Sequence, residues 1–306
     1  MNDEVLKLIS EEYTVLDGGL GTLLYERGLS SAELPEEWNN SHPDVLRSIH
    51  LDYLISGAQV IETNTFGASS LKLEANGKQG MVKELNERGA ALAFDALKTF
   101  RDMGKVQDDK RFISGSVGST GKILEMGVTR ERVEKSYAEQ SSVLADAGVD
   151  LFTVETMLDL REAEIAVKTL KSETGLPVFV SVVFNKTKKG EARTLFGNTV
   201  RETVSRLFEA GADAVGTNCG LIEEYLEVIR EMRSLTDKSL MLYPNAGPPK
   251  LKNGRTVFEQ TPEYLITFLD ESIEAGATII GGCCGTAPEY IRLVSEKIKG
   301  RKLNRK

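Results

Sequence analysis

Cysteine, histidine and tryptophan are scarce in this sequence of 306 residues, which holds three, two and one of them. Three cysteines, an odd number in a long chain, do not make a disulfide framework, because such frameworks suit small secreted domains in oxidising compartments. Metal binding, reactive chemistry and inert burial remain open to them. The two histidines, His42 and His50, fall at and within the first helix of the pattern. Neither a G-x-S-x-G motif nor a candidate triad accompanies them, so both rings read as structural or surface groups. No apolar run approaches the roughly 18 to 20 residues that a membrane-spanning helix needs, and the N-terminus is not basic-then-apolar. A cytoplasmic protein without a membrane partner is the expectation. Acidic residues outnumber basic ones for a formal net charge of -8, spread along the chain, so its field repels phosphate backbones and nucleic acid is a poor partner. The basic run from Lys297 to Lys306 reads as a solvated terminus.

What is present is a composition able to bury a core: 41% hydrophobic and 27% charged residues, which excludes disorder. One phrase recurs four times, a small residue and Gly closing a helix and leading at once into an apolar strand. Its copies start at Ser56, Ala147, Ala210 and Ala275. Gly suits the left-handed position that ends a helix, and a short turn then feeds a buried parallel strand. Strand-like runs fall near 13–17, 59–65, 111–117, 150–156, 177–184, 213–218, 239–244 and 277–281. Amphipathic stretches separate them, at 44–56, 79–101, 129–147, 159–174, 199–210, 222–235 and 262–275, and a last one follows at 288–299. Eight strand and helix units with no linker between halves point to an α/β fold, a single (β/α)8 TIM barrel over 1–306, with a doubly wound sheet as the alternative.

On that parse the C-terminal strand ends carry Asp17, Asn64, Ser116, Glu155, Asn185, Asn218 with Cys219, Asn245, and Cys283 with Cys284. Strand ends and turns favour Asn, Asp and Ser anyway, so any single position has an ordinary explanation. Glu155 is harder to explain away, since a carboxylate ending an apolar run faces the barrel mouth or is costly to bury. All three cysteines sit on the same face. Adjacent strand residues point oppositely, so Cys283 and Cys284 aim together only in a turn, which Gly281, Gly282 and Gly285 permit. Zinc suits three thiolates, and three protein ligands with an open fourth position mark a catalytic site. Inert burial as small hydrophobes is the competing reading. Gly115 to Ile123 resembles a phosphate loop but lacks the required Gly and ends in Ile. Asp17 to Thr22 lacks the full dinucleotide fingerprint, though its glycines would let backbone amides approach an anionic ligand. Trp38 reads as a half-buried structural residue.

Six segments, at 17–22, 62–68, 154–156, 216–220, 243–247 and 281–286, together resemble the homocysteine S-methyltransferases. That family includes the homocysteine-binding module of cobalamin-dependent methionine synthase and the betaine- and S-methylmethionine-using enzymes. The resemblance implies a zinc-bearing barrel in which Cys219, Cys283 and Cys284 hold zinc and are the catalytic ligands. It implies that Asp17 and Glu155 contact the amino-acid part of homocysteine, that Asn64 lies toward the methyl donor, and that Asn245 occupies zinc's fourth position before substrate arrives. No folate-binding, cobalamin-binding or reductase module follows residue 306, so the donor is expected from elsewhere, as a small molecule or on a separate corrinoid protein. Two rivals stay open: a non-enzymatic thiol-binding barrel, and a metal-free lyase or isomerase with Glu155 as base.

Overall fold

Eight short parallel strands form one sheet in the computed structural model, which describes residues 2–104, 110–252 and 255–303. They are β1 (Thr14–Val15), β2 (Val60–Glu62), β3 (Phe112–Val117), β4 (Leu151–Met157), β5 (Val178–Val182), β6 (Ala214–Asn218), β7 (Ser239–Tyr243) and β8 (Ile279–Ile280). From β2 onward each pairs with the strand that follows it in sequence, and β8 pairs with β1. The Leu16–Val60 bridge closes the circle, with Gln59 N donating to Val15 O at 2.8 Å and Asp17 N to Val60 O at 3.1 Å. This is the (β/α)8 barrel that the alternation implied. A doubly wound sheet would reverse its strand order and leave two free edges, which the closed order contradicts.

Because side chains alternate across a strand, every second residue enters the barrel. Val60, Phe112, Leu151, Phe179, Ala214, Met241 and Ile279 form one buried cluster, while Ile61, Ile113, Phe152, Val180, Val215, Leu240 and Ile280 pack outward against the helices. Two residues further along five of the strands the interior positions turn polar, at Glu62, Ser114, Thr153, Ser181 and Tyr243, and beyond them come Ser116, Glu155 and Asn218. The barrel is therefore apolar at its N-terminal end and hydrogen-bonded toward its C-terminal mouth, where Ser114 Oγ lies 2.7 Å from Thr153 Oγ1.

The surrounding helices lie where amphipathic periodicity put them, except that 79–101 opens with a 3-10 turn at Gln79–Met81 and 262–275 is broken into Pro262–Leu265, a 3-10 turn at Ile266–Phe268 and Leu269–Ala275. The helix Asn2–Glu11 was not anticipated. Val5, Leu8 and Ile9, spaced i, i+3, i+4, bury one face in the apolar cluster of the barrel interior, and Ser239 Oγ donates to Ile9 O at 2.8 Å. It plugs the N-terminal end and leaves the C-terminal mouth for chemistry. The connections after β5 and β7 carry small hairpins, Asn185–Lys186 with Ala192–Arg193 and Lys250–Lys252 with Arg255–Val257. Trp38 is fully buried, not half-buried as expected, with its ring stacked on His42 at 4.0 Å. His50 is buried and His42 exposed. No helix among the described residues is long and apolar enough to cross a membrane. Of the basic terminus, residues 304–306 lie outside the described residues.

Candidate metal centre

The loops after β6, β7 and β8 are sewn together by backbone bonds, and this places the three cysteines. Cys219 N donates to Tyr243 O at 3.4 Å, Asn245 N to Gly220 O at 2.9 Å, Cys283 N to Pro244 O at 2.8 Å, and Ala246 N to Cys284 O at 2.9 Å. Cys219 takes a left-handed backbone, φ 64, which swings its side chain off the strand direction. The segment Asp17 to Thr22 wraps the turn from the other side. A Cβ on Gly19 would fall 2.5 Å from the Cys283 carbonyl oxygen, so only glycine allows that approach. Thr22 Oγ1 accepts from Gly285 N at 3.1 Å. The glycines expected to admit an anion thus serve close packing against the cysteine turn.

The result is a cluster in which the Sγ atoms of Cys219, Cys283 and Cys284 all lie within 4.8 Å of one another, with Cys283 and Cys284 4.0 Å apart. All three are half-buried and free. Tetrahedral zinc, with Zn–S of about 2.3 Å, sets its sulfurs about 3.8 Å apart, so the spacing needs little contraction. Asn245 strengthens the fit: its Nδ2 lies 3.9 Å from Cys219 Sγ, while its Oδ1 is buried without a partner among the described residues. Three sulfurs and an orphaned amide oxygen are a donor set suited to a soft divalent ion. Hydrogen bonds from Cys283 and Cys284 pull the Cys219 thiol down to about 3. The same bonds raise Cys283, and the bond to Cys219 pushes Cys284 up to about 12. The first of the cluster's three protons therefore leaves far more readily than the other two.

Beside the sulfurs lie three carboxyl groups: the expected Asp17 and Glu155, and Glu62, which sequence reasoning passed over. Asp17 Oδ2 accepts from Glu62 N at 2.8 Å, Ser116 Oγ donates to Glu155 Oε1 at 2.7 Å, and the Glu62 carboxyl lies close enough to Asp17 and Glu155 to feel both charges. Burial, reinforced by the neighbouring carboxylates, raises Asp17 and Glu62 well above the usual range, and burial lifts Glu155 to about 7. Such a group of acids without a cation is complementary to an ammonium ion. Asn64 is placed differently. Its Nδ2 donates to Pro35 O at 2.7 Å and Asn39 Oδ1 at 2.9 Å, pinning the 35–39 segment.

Among the residues not anticipated, Thr156 is the most unusual. The β4–β5 ladder slips between Val154 and Met157, and Thr156 in this bulge has φ 58. A β-branched residue held there costs on the order of 1–3 kcal/mol, and such strain gathers at functional sites. The signal available beforehand was that Glu155, ending an apolar strand, had to be re-aimed by something.

A model of the homocysteine S-methyltransferase family matches residues 14–298. The chain belongs to that family. Its methyltransferase relatives include the methionine synthases of Mycobacterium leprae (strain TN) and Mycobacterium tuberculosis (strain ATCC 25618 / H37Rv). Each is 30% identical over 311 residues, covering 96% of this chain and 25% of the relative. The chain thus spans about a quarter of the length of these curated relatives. Among solved structures, the metallated form of the Escherichia coli homocysteine methyltransferase MmuM is similar with a TM-score of 0.79 and 26% identity, covering 94% of this chain and 96% of that one. The matched span contains all three cysteines of the sulfur cluster.

Proposed function

We propose that this chain is a cytoplasmic, zinc-dependent homocysteine S-methyltransferase. It moves a methyl group from an external donor to the sulfur of homocysteine and yields methionine, with residues 1–306 acting as one homocysteine-binding domain. The observation that carries this reading is the convergence of Cys219, Cys283 and Cys284 beside a cation-free group of carboxyls in a chain of this family. Cys219, Cys283 and Cys284 hold the zinc, and Asn245 Oδ1 completes the donor set before substrate arrives. Zinc supplies a Lewis acid without redox chemistry, which lowers the pKa of a thiol from its free value of about 8.5.

The protein's own groups do the rest. Asp17 and Glu155 receive the substrate's ammonium group, with Glu62 behind them, and so hold the amino acid with its thiol toward the cysteines. Three cysteine sulfurs keep the site electron-rich, which favours nucleophilic attack by the substrate sulfur on the donor's methyl carbon. The sulfur–carbon bond forms as the methyl–donor bond breaks, and the donor leaves with that electron pair. Holding sulfur and methyl in line contributes several kcal/mol. Asn64 supports the mouth by fixing the 35–39 segment. The donor is a small molecule or a methyl-corrinoid.

Elemental analysis of purified protein is expected to find about one zinc per chain. An assay of homocysteine against S-methylmethionine, betaine, methyltetrahydrofolate and a methyl-corrinoid protein is expected to give methionine with one of them. Cys219→Ala should abolish both zinc and transfer. Full activity without zinc, or in Cys219→Ala, contradicts the proposal.

A further inference from the structure

Asn218, at the end of β6, is fully buried and every polar atom of its side chain is engaged. Its Oδ1 accepts from Ser181 Oγ at 2.9 Å and from Thr156 N at 3.0 Å. Its Nδ2 donates to Thr156 Oγ1 at 2.8 Å and reaches Cys283 Sγ at 3.7 Å. Ser181 Oγ lies in turn 2.8 Å from Tyr243 OH, and Tyr225 OH donates to Asn218 O at 2.8 Å. One planar amide therefore grips two things at once. On one side it clamps Thr156 by both its backbone and its hydroxyl, holding the left-handed bulge that re-aims the preceding Glu155. On the other it touches a sulfur of the metal cluster.

We propose that Asn218 is a positioning residue that fixes the separation between the Glu155 carboxyl and the Cys283 sulfur, and thereby selects an amino-acid thiol with two methylenes between Cα and sulfur over one with a single methylene. The identity of the substrate rests on the methyl-transfer reading above. The reasoning for selection is geometric. The ammonium end of the substrate is held by a group on β4 and its sulfur end by groups after β6 and β8, and Asn218 is the side chain that bonds both supports. A rigid amide with two acceptor and two donor contacts defines one spacing, and a thiol shorter by one carbon cannot meet both ends.

The experiment measures calorimetric affinity for homocysteine and for cysteine, and the absorption of the cobalt-loaded protein, in wild type, Asn218→Ala and Asn218→Asp. Asp keeps the acceptor contacts to Ser181 and Thr156 N and deletes the donor end, so it retains the fold if Ala does not. The wild type should prefer homocysteine. Either substitution should weaken homocysteine binding by about 10- to 100-fold, the usual scale for a group supporting a metal site, while cysteine binding changes far less. Loss of the N–H contact should move the thiolate-to-cobalt charge-transfer band to lower energy with one cobalt per chain retained. A wild type with no preference between the two thiols, or variants with unaltered preference and an unmoved band, overturns the proposal. So does equal loss of both affinities, which is the mark of a merely structural role. If no methyl donor is turned over, the methyl-transfer reading fails while affinities and band still decide the role of Asn218.

Discussion

Loading the metal-free protein with zinc should release about two protons per chain, and this number follows from the sulfur cluster itself. Near neutral pH the cluster carries one thiolate, on Cys219, whose thiol is drawn down to about 3 by its two sulfur neighbours. Cys284, at about 12, and Cys283, also raised, keep their protons. Three coordinating sulfurs must all be thiolates, so two protons leave on binding. Affinity should then rise about 100-fold per pH unit around neutrality, about 2.7 kcal/mol, because each released proton contributes a factor of ten. The assay is calorimetric titration in two buffers of different ionisation heat, which reads the proton count directly. Cys284→Ser should release about one. A release of three would show that no thiolate is preformed. A release of one or none would show that a second thiolate is preformed or that a cysteine stays outside the site, and either result refutes the reasoning.

Two further predictions concern stability. His50 is buried, with neither ring nitrogen partnered among the described residues, and burial pushes its imidazole down to about 4. The unfolded chain, at its ordinary value of about 6.5, takes up the proton more readily. Stability is therefore full above that pH and falls by up to about 3 kcal/mol as pH drops toward 4; His50→Leu should flatten this acid limb in urea melts. Glu162 accepts from Ser119 Oγ at 2.8 Å, Thr120 N at 2.7 Å, Thr120 Oγ1 at 2.6 Å and Tyr137 OH at 2.9 Å. Glu162→Ala strands those buried donors and should cost about 4 kcal/mol by denaturant unfolding, where a loss under about 1 kcal/mol would contradict the assignment.

The barrel was legible because its signal is redundant. Each of eight strands is an apolar run followed by polar or small residues at the mouth, and four of them follow a glycine-closed helix phrase. The cysteines were legible for the same reason, since strand-end placement puts all three on one face. The bulge at Thr156 was not, because a left-handed threonine violates local preference and is gripped by Asn218, 62 positions away. Glu62 was hidden by its neighbours: Val60 and Ile61 read as an ordinary buried run, and only closure of the barrel shows that the third position faces Glu155. Asn64 illustrates the converse, a polar strand-end residue whose amide bonds to Pro35 and Asn39 could not be read from its position. The helix at the N-terminus went unread because its apolar face makes sense only as a plug for a barrel already closed.

X-ray absorption at the zinc edge tests the central claim most directly, because it counts sulfur neighbours. The account expects three sulfurs at about 2.3 Å and one lighter atom in the substrate-free protein, and four sulfurs once homocysteine is added. Two or fewer sulfurs at the start, or a count that homocysteine leaves unchanged, would contradict it.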